Sequence, residues 1–285
     1  MRIPRVLHAA LLLPLVLSAA ASCQVAGSTA NASEGTLPSA SASEAVEPPE
    51  PGLVFDYQLG GAYPPAEDVQ AVSRDRTDEP AEGLYNVCYV NAFQTQPGKE
   101  VLAWWEEEHP DLLLRDADGE PVSDDGWAEA LLDISTPQKR EGLMEVVGPW
   151  IDGCAEDGFD AVEPDNLDSF GRSDGLLTAE QAVEFATLLA DRAHGSGLAI
   201  AQKNTTDLLP ERERVGFDFA VSEECAQWNE CGDFAEAYDR RMFDVEYEAA
   251  AFEEACREWG GELSLTLRDL DVVPAGSPGY VRRSC

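Results

Sequence analysis

From residue 53 onward, short apolar or β-branched runs alternate with longer segments whose apolar residues recur at helical spacing. We predict strands in the runs LVFDYQL, LYNVCYVNAF, ALLDI, FDAVEPDN, LAIAQKN, FAVSEE, MFDVEY and ELSLTLRD, at 53–59, 84–93, 130–134, 159–166, 198–204, 219–224, 242–247 and 262–269. We predict helices at 99–110, 136–158, 178–197, about 232–240 and 249–259. Eight strands with intervening helices predict an α/β fold, a single-domain (β/α)8 TIM barrel.

The ends of two predicted helices carry clear signals. Thr136 is placed as an N-cap, with Pro137 at the first helical position, and Thr178 caps the next helix, which ends near Gly195 and Gly197.

Polar or ionisable residues close most of the predicted strands. They are Tyr57-Gln58, Asp133, Asp165-Asn166, Lys203-Asn204, Glu223-Glu224, Glu246-Tyr247 and Arg268-Asp269. In parallel barrels the carboxyl ends of the strands and the loops after them form the active site. Charge that served only solubility would occur equally on the outer faces of the helices, so this placement indicates a functional site.

The N-terminus has the organisation of a secretion signal, which we assign to residues 1–22. Basic Arg2 and Arg5 precede an apolar run at 6–17, which is too short to span a membrane. Two cleavage interpretations stay open: a lipobox that ends in a lipidated Cys23, or an ordinary A-x-A site at 19–21. The lipobox is imperfect, since Ala20 stands where leucine is usual. Residues 23–52, rich in Ser, Ala, Pro and Glu, predict a disordered linker, and 53–285 the folded domain.

Cysteine number favours the lipidated form. Seven cysteines leave an even six once Cys23 is modified, which suits disulfides in an oxidising compartment. The expected location is therefore extracellular, on the cell surface as a lipoprotein or otherwise secreted, with the membrane contacted only through the lipid.

The formal net charge of −36 excludes nucleic acid as a partner, because phosphate binding requires the opposite sign. Two interpretations remain: a solubility adaptation, or a negative field that concentrates a cationic ligand.

Paired carboxylates on neighbouring strand ends can cleave a glycosidic bond, one protonating the leaving oxygen and the other attacking the anomeric carbon or activating water. Asp165 and Glu223 are the candidates, with Asp160, Glu163 and Asp168 as rivals, and spacing alone does not separate Asp165 from Glu163. No His or Cys spacing predicts zinc, and the EF-hand spacing is absent, although an all-carboxylate Ca²⁺ or Mg²⁺ site stays open. Since nucleophile-elbow, P-loop and dinucleotide motifs are also absent, we expect no cofactor and no metal.

Four segments together resemble glycoside hydrolase family 114, the endo-α-1,4-polygalactosaminidases. They are FDAVEPDNLD, LADRAHGSGLAIAQKN, FDFAVSEECAQWNEC and FDVEY, with weaker matches at FDYQL and VCYVNAF, so that the resemblance covers about 53–250. It implies that Asp165 is the nucleophile and Glu223 the acid/base of a retaining glycosidase. The residues expected around the sugar are Tyr57, Asp133, Glu163, Asn166, Asp168, Lys203, Asn204, Trp228, Glu246 and Tyr247.

The resemblance also pairs Cys225 with Cys231. The pairs Cys88–Cys154 and Cys256–Cys285 are two choices among fifteen connectivities of six cysteines. Two segments depart from the family pattern: FDYQL replaces a Trp-rich opening, and NAFQTQPGKEVLAWW replaces a Gly- and Ser-containing loop at the barrel mouth.

The expected substrate is an α-1,4-linked galactosamine or N-acetylgalactosamine polysaccharide, whose free amines would make it a cationic partner for a monomeric enzyme. The alternative is a non-catalytic carbohydrate-binding TIM-barrel lipoprotein. A third class, an acidic adhesin, would leave the clustering at the strand ends unexplained.

Overall fold

Eight parallel strands form the centre of the fold in the computed structural model, which describes residues 46–124 and 126–285. The strands are β1 (Phe55–Tyr57), β2 (Ala71–Asp75), β3 (Tyr85–Asn91), β4 (Ser123–Asp124), β5 (Glu129–Ala130), β6 (Ala161–Asp165), β7 (Ala199–Lys203), β8 (Phe219–Glu223), β9 (Met242–Glu246), β10 (Ser264–Arg268) and β11 (Arg282–Ser284). The helices are α1 (Lys99–Glu108), α2 (Pro137–Asp157), α3 (Ala179–Gly195), α4 (Arg212–Val215), α5 (Cys225–Trp228), α6 (Cys231–Ala237) and α7 (Ala249–Trp259). Two 3₁₀ helices, Leu167–Arg172 and Thr206–Glu211, follow β6 and β7.

The main sheet has the order β1-β2-β3-β6-β7-β8-β9-β10, with every neighbouring pair parallel, and β11 adds to β10 in antiparallel fashion. The first and eighth of these parallel strands, β1 and β10, also contact each other. The sheet therefore curves round into the barrel that the sequence predicted, and the TIM-barrel prediction is confirmed.

Successive residues of each strand point alternately into the barrel interior and outward to the helices, so the protein has two apolar cores. Phe55, Val87, Phe219, Phe243 and their neighbours fill the barrel interior, and Phe55 stacks on Phe243 with ring centroids 4.3 Å apart. The residues of opposite parity pack outward against the helices, in a larger core that includes Phe185 and Leu189 of α3. Side chains at alternate positions toward the carboxyl end of a strand are thereby directed into the barrel.

Two strand predictions are wrong. Strand β2 was not predicted, because its segment AVSRD contains three polar residues and lacks a continuous apolar run, although Ser73 and Arg74 are both buried. The predicted strand at 130–134 is no barrel strand: only Glu129–Ala130 forms a ladder, with Ser123–Asp124. Leu131 and Leu132 are buried, but by a loop layer outside the barrel, and a short apolar run does not distinguish these environments.

The predicted helix starts are confirmed. The Thr136 side chain accepts a hydrogen bond from the Lys139 amide, with Pro137 as the first helical residue. Thr178 and Gln181 form a reciprocal capping box at the start of α3.

Residues 46–52, which precede the predicted domain boundary at 53, already pack against the barrel. Pro49 is buried, Val46 packs against the residues of the barrel interior, and the Tyr85 hydroxyl donates to the Glu47 carbonyl at 3.0 Å. The last seven residues of the predicted linker are therefore part of the folded unit. The predicted signal peptide and Cys23 lie outside the described residues.

Three disulfides join Cys88 to Cys154, Cys225 to Cys231 and Cys256 to Cys285, the three pairs put forward from the sequence. They link β3 to α2, close the segment after β8, and attach α7 to the C-terminus. Among the described residues, no helix combines the length and apolar character needed to cross a membrane.

Candidate active site

The floor of the site is a buried lysine bound to a buried carboxylate. Lys203, the last residue of β7, has its Nζ 2.9 Å from Glu163 Oε1 and 3.1 Å from the Tyr57 hydroxyl. Tyr57 donates to Glu163 Oε1 at 2.9 Å, and Ser73 donates to Oε2 at 2.7 Å. Four strands thus contribute to one polar layer above the apolar barrel interior, and Glu163 has a partner on each oxygen.

Two further carboxylates lie above this layer and face the cleft. Lys203 Nζ is 3.2 Å from Asp165 Oδ1 and 3.3 Å from Glu223 Oε2, so one ammonium group contacts three carboxylates. Exposure divides the three: the side chain of Glu163 is fully buried, whereas Asp165 and Glu223 are 17% and 28% exposed. Only these two can therefore touch a bound molecule, which separates Asp165 from Glu163 as spacing could not.

The electrostatics of the layer follow from burial and from Lys203. Burial raises the pKa of Glu163, and Lys203 and Ser73 oppose that rise only in part. For Asp165, burial is outweighed by Lys203, the Tyr89 hydroxyl and the Asn166 amide, so the pKa falls below the ordinary aspartate value. Burial alone would lower the pKa of Lys203, but the surrounding carboxylates raise it well above the usual lysine range. Asp165 and Lys203 are therefore both charged at neutral pH.

Two tyrosines orient the exposed carboxylates. Tyr89 donates to Asp165 Oδ2 at 2.8 Å, and Tyr247 donates to Glu223 Oε1. Burial and the nearby carboxylates raise the pKa of both phenols well above the ordinary value, so both keep their protons. Tyr89 was not among the predicted site residues, although it lies two positions after the inward-facing Val87 on β3 and so shares its face.

The strands β6, β7 and β8 each leave the barrel through a residue of left-handed backbone conformation. These residues are Asn166, Asn204 and Glu224, with φ of 66°, 48° and 60°. Asparagine adopts this conformation more readily than most residues. Each turn bends the chain away directly after the last inward-facing side chain, and Asn204 Oδ1 also accepts the Glu223 amide at 2.7 Å. The turns thereby leave Asp165, Lys203 and Glu223 as the last inward-facing side chains of their strands.

The cleft over these groups has a volume of about 430 Å³, and seven of the residues that line it are acidic. Seven of the predicted site residues line it: Tyr57, Asp165, Asn166, Asp168, Asn204, Glu223 and Tyr247. Residues that were not predicted also line it, among them Asp75, Asp124, Trp127, Glu129, Arg172 and Asp271. Lys203 and Glu163 lie directly beneath.

Arg172 offsets part of the negative charge of one wall of the cleft. Its guanidinium lies 2.8 Å from Asp124 and 2.6 Å from Asp168, and it donates to Asn166 Oδ1 at 2.9 Å. Asp168 is therefore an ion-pair partner at the cleft edge, where it belongs to the wall and not to the carboxylate pair over Lys203.

A hairpin formed by β4 and β5 covers the cleft from one side. It carries Asp124, Trp127 and Glu129 to the lining, and Trp127 is 59% exposed. The predicted strand began at residue 130, just after these three residues, and no element was predicted at 123–129, so nothing in the sequence assigned them to the site.

Three predicted site residues, Asp133, Trp228 and Glu246, do not line the cleft. Asp133 accepts the Ser135 amide and pairs with Lys139 before α2, so it caps a loop. Trp228 is 64% exposed on α5 but lies outside the lining.

Asp160, a rival candidate for catalysis, directly precedes β6. It accepts the Asn86 amide at the opposite end of this strand from Asp165.

Glu246, the third predicted site residue outside the cleft lining, points away from the barrel interior. It is fully buried, and its Oε1 accepts the Ala226 amide at 2.7 Å, so it holds the first turn of α5 against β9. Asp244, two residues earlier, accepts from Ser222 at 2.7 Å. Burial raises the pKa of both acids, well above the ordinary value for Asp244. The adjacent thiols are joined as Cys225–Cys231 and so offer no thiolate for a metal.

Comparison with known proteins identifies related folds. The model of glycoside-hydrolase family GH114 matches residues 35–285. No curated protein sequence matches the chain significantly. The crystal structure of Ega3 from Aspergillus fumigatus, in complex with galactosamine, is similar with a TM-score of 0.65 and 22% identity, over 88% of this chain and 100% of that one. The glycoside hydrolase domain of PelA from Pseudomonas aeruginosa is similar with a TM-score of 0.56 and 17% identity, over 80% and 98%.

Proposed function

The chain belongs to glycoside-hydrolase family GH114 and is a glycosidase, and from that premise we propose that it cleaves an α-1,4-linked polysaccharide of galactosamine or N-acetylgalactosamine with retention of configuration. Asp165 is the proposed nucleophile and Glu223 the proposed acid/base. The observation that carries the proposal is the contact of one buried ammonium, Lys203, with both carboxylates at the floor of the cleft.

Two features support an amino-sugar substrate. The similar structure of Ega3 was determined in complex with galactosamine. The cleft of this chain is lined by carboxylates, within a protein of net charge −36, and such a lining attracts a chain of ammonium groups.

The separation of the carboxylates supports retention. Asp165 Oδ1 and Glu223 Oε2 are 3.2 and 3.3 Å from the same nitrogen atom, so these two oxygens are at most about 6.5 Å apart. Retaining glycosidases have carboxyl groups separated by about 5–5.5 Å, and inverting enzymes need about 6.5–9.5 Å to admit a water. This limit, which applies to the two oxygens that face Lys203, lies at the lower end of the inverting range.

In the first proposed step, ionised Asp165 attacks the anomeric carbon while the glycosidic C–O bond breaks. The proton of Glu223 goes to the leaving oxygen, and a glycosyl ester forms on Asp165. In the second step Glu223 takes a proton from water, whose oxygen attacks the anomeric carbon and releases Asp165. The low pKa of Asp165 suits a nucleophile that must be ionised at the start.

The test is hydrolysis of an α-1,4-galactosamine polymer by the wild type, Asp165→Asn and Glu223→Gln. We expect each substitution to lower kcat by at least about a hundredfold, the lower range for removal of an acid or base. Asp118→Asn, at an exposed turn remote from the cleft, is the matched control and should keep wild-type activity.

Equal product release from all four proteins would contradict the assignment. Binding of the polymer by the wild type without cleavage would favour the alternative of a carbohydrate-binding barrel.

The proposal includes an extracellular location, with Cys23 as the site of a lipid anchor. Three disulfides support an oxidising compartment, and the signal and Cys23 remain sequence predictions. Lipid incorporation during expression tests the anchor, and a label that persists in Cys23→Ser would contradict it.

A further inference from the structure

Glu129 is a nearly buried carboxylate in the cleft wall with one oxygen free. It is 8% exposed, and its Oε2 accepts from the side-chain amides of Asn91 at 2.9 Å and Asn166 at 3.4 Å. Across residues 46–124 and 126–285, no group donates a hydrogen bond to its Oε1. Since Glu129 also lines the cleft, this oxygen is available to a bound molecule.

The charge of Glu129 has no protein counterion. No cationic side chain of the described ranges forms an ion pair with it, and Arg172, whose charge acts on Glu129 through space, is bound to Asp124 and Asp168. Burial raises the pKa of Glu129 to about 7, with Asp165 and Asp124 adding to the rise while Asn91 and Arg172 oppose it. A ligand that brings a positive charge and N–H donors would supply what the wall lacks.

Glu129 is close to the proposed nucleophile. The Asn166 side chain reaches Glu129, while the backbone amide of the same residue donates to Asp165 Oδ1 at 2.7 Å. In a 2-amino sugar the nitrogen is on the carbon next to the anomeric carbon. A sugar whose anomeric carbon faces Asp165 can therefore direct its amine toward the neighbouring wall.

We infer that the Glu129 carboxylate binds the free 2-ammonium group of the sugar unit whose bond is cleaved. This inference rests on the proposed function and deepens it: the enzyme selects deacetylated units at this position. An N-acetyl group is neutral and larger, so it neither compensates the buried charge nor occupies the same space.

The experiment compares kcat/KM on two α-1,4-linked polymers of matched length, one of galactosamine and one of N-acetylgalactosamine. For Glu129→Gln we expect kcat/KM on the free-amine polymer to fall about tenfold to a hundredfold, the range for loss of a hydrogen bond to a charged group. Cleavage of the acetylated polymer should stay within about twofold, so the preference for free amine falls. Glu107→Gln, at an exposed position of α1 outside the cleft lining, removes the same charge and should keep the preference ratio of the wild type.

A binding measurement accompanies the rates. In an Asp165→Asn background, Glu129→Gln should weaken binding of a galactosamine oligosaccharide by the same factor, and thermal unfolding of both variants verifies their fold. An unchanged preference in Glu129→Gln would overturn the inference alone, and so would an equal fall in kcat on both polymers. A wild type that cleaves neither polymer would overturn the proposed function and the inference with it.

Discussion

A single residue, Lys203, organises the catalytic end of the barrel. Its ammonium group is buried among Glu163, Asp165 and Glu223, and burying any one of these charges alone would be unfavourable. Glu163 contacts it from below with both oxygens hydrogen-bonded, so the lysine is fixed before a substrate arrives. The two exposed carboxylates are then held close together despite their like charge.

Replacement of Lys203 should destabilise the protein strongly. We expect Lys203→Met to lower the free energy of unfolding by about 3–5 kcal/mol, because it leaves Glu163 buried without a counterion. Denaturant unfolding measures this change. In the double variant Glu163→Gln/Lys203→Met the buried charge is gone, so part of the loss should be recovered; a strictly additive double variant would contradict the coupling.

At the scale of elements, the barrel strands supply the carboxylates and the loops supply the walls. The β4–β5 hairpin brings Trp127 and Glu129 over the cleft, while α5 follows Glu223 directly. Glu246 accepts a backbone amide of α5 from behind, and a disulfide closes the segment after it. The mouth of the barrel is thus built from short segments whose local sequence pattern does not show where they lie in the fold.

The hairpin brings Trp127 to the cleft lining, which does not include Trp228. The sequence analysis favoured Trp228, whereas Trp127 lines the cleft. We expect Trp127→Ala to raise KM for the galactosamine polymer by about twofold to tenfold, the range for loss of one aromatic contact, and Trp228→Ala to leave KM unchanged. Initial rates over a range of polymer concentrations test both. The reverse result would restore the sequence prediction.

At the scale of the whole molecule, the large excess of negative charge should influence the encounter with a charged ligand. The net charge is −36, and the cleft concentrates carboxylates around only a few cations. Surface charge of one sign raises the local concentration of a ligand of the opposite sign, and salt screens the effect.

Salt should therefore slow the enzyme selectively. Between about 0.01 M and about 1 M sodium chloride, we expect kcat/KM on the galactosamine polymer to fall at least about tenfold, because the screening length shortens from about 30 Å to about 3 Å. The fully acetylated polymer carries no ammonium groups, and its kcat/KM serves as the control. Equal salt dependence for both polymers would argue against electrostatic attraction.

Much of the fold and the core of the site could be predicted from the sequence. Seven of the eight barrel strands, the helix caps at Thr136 and Thr178, and the polar strand ends are encoded in local patterns. The placement of Tyr57, Lys203 and Tyr247 beside Asp165 and Glu223 followed from the rule that parallel strands end at one face.

Only the tertiary structure decided the remainder. It showed that β2 completes the barrel, that Glu163 lies beneath Asp165, that Glu246 points outward, and that the hairpin carries Glu129 into the cleft. Periodicity is a local property of the chain, so it records which residues share a face. Which partner covers that face depends on contacts between residues far apart in sequence, such as Lys203 with Tyr57, and these form only when the barrel closes.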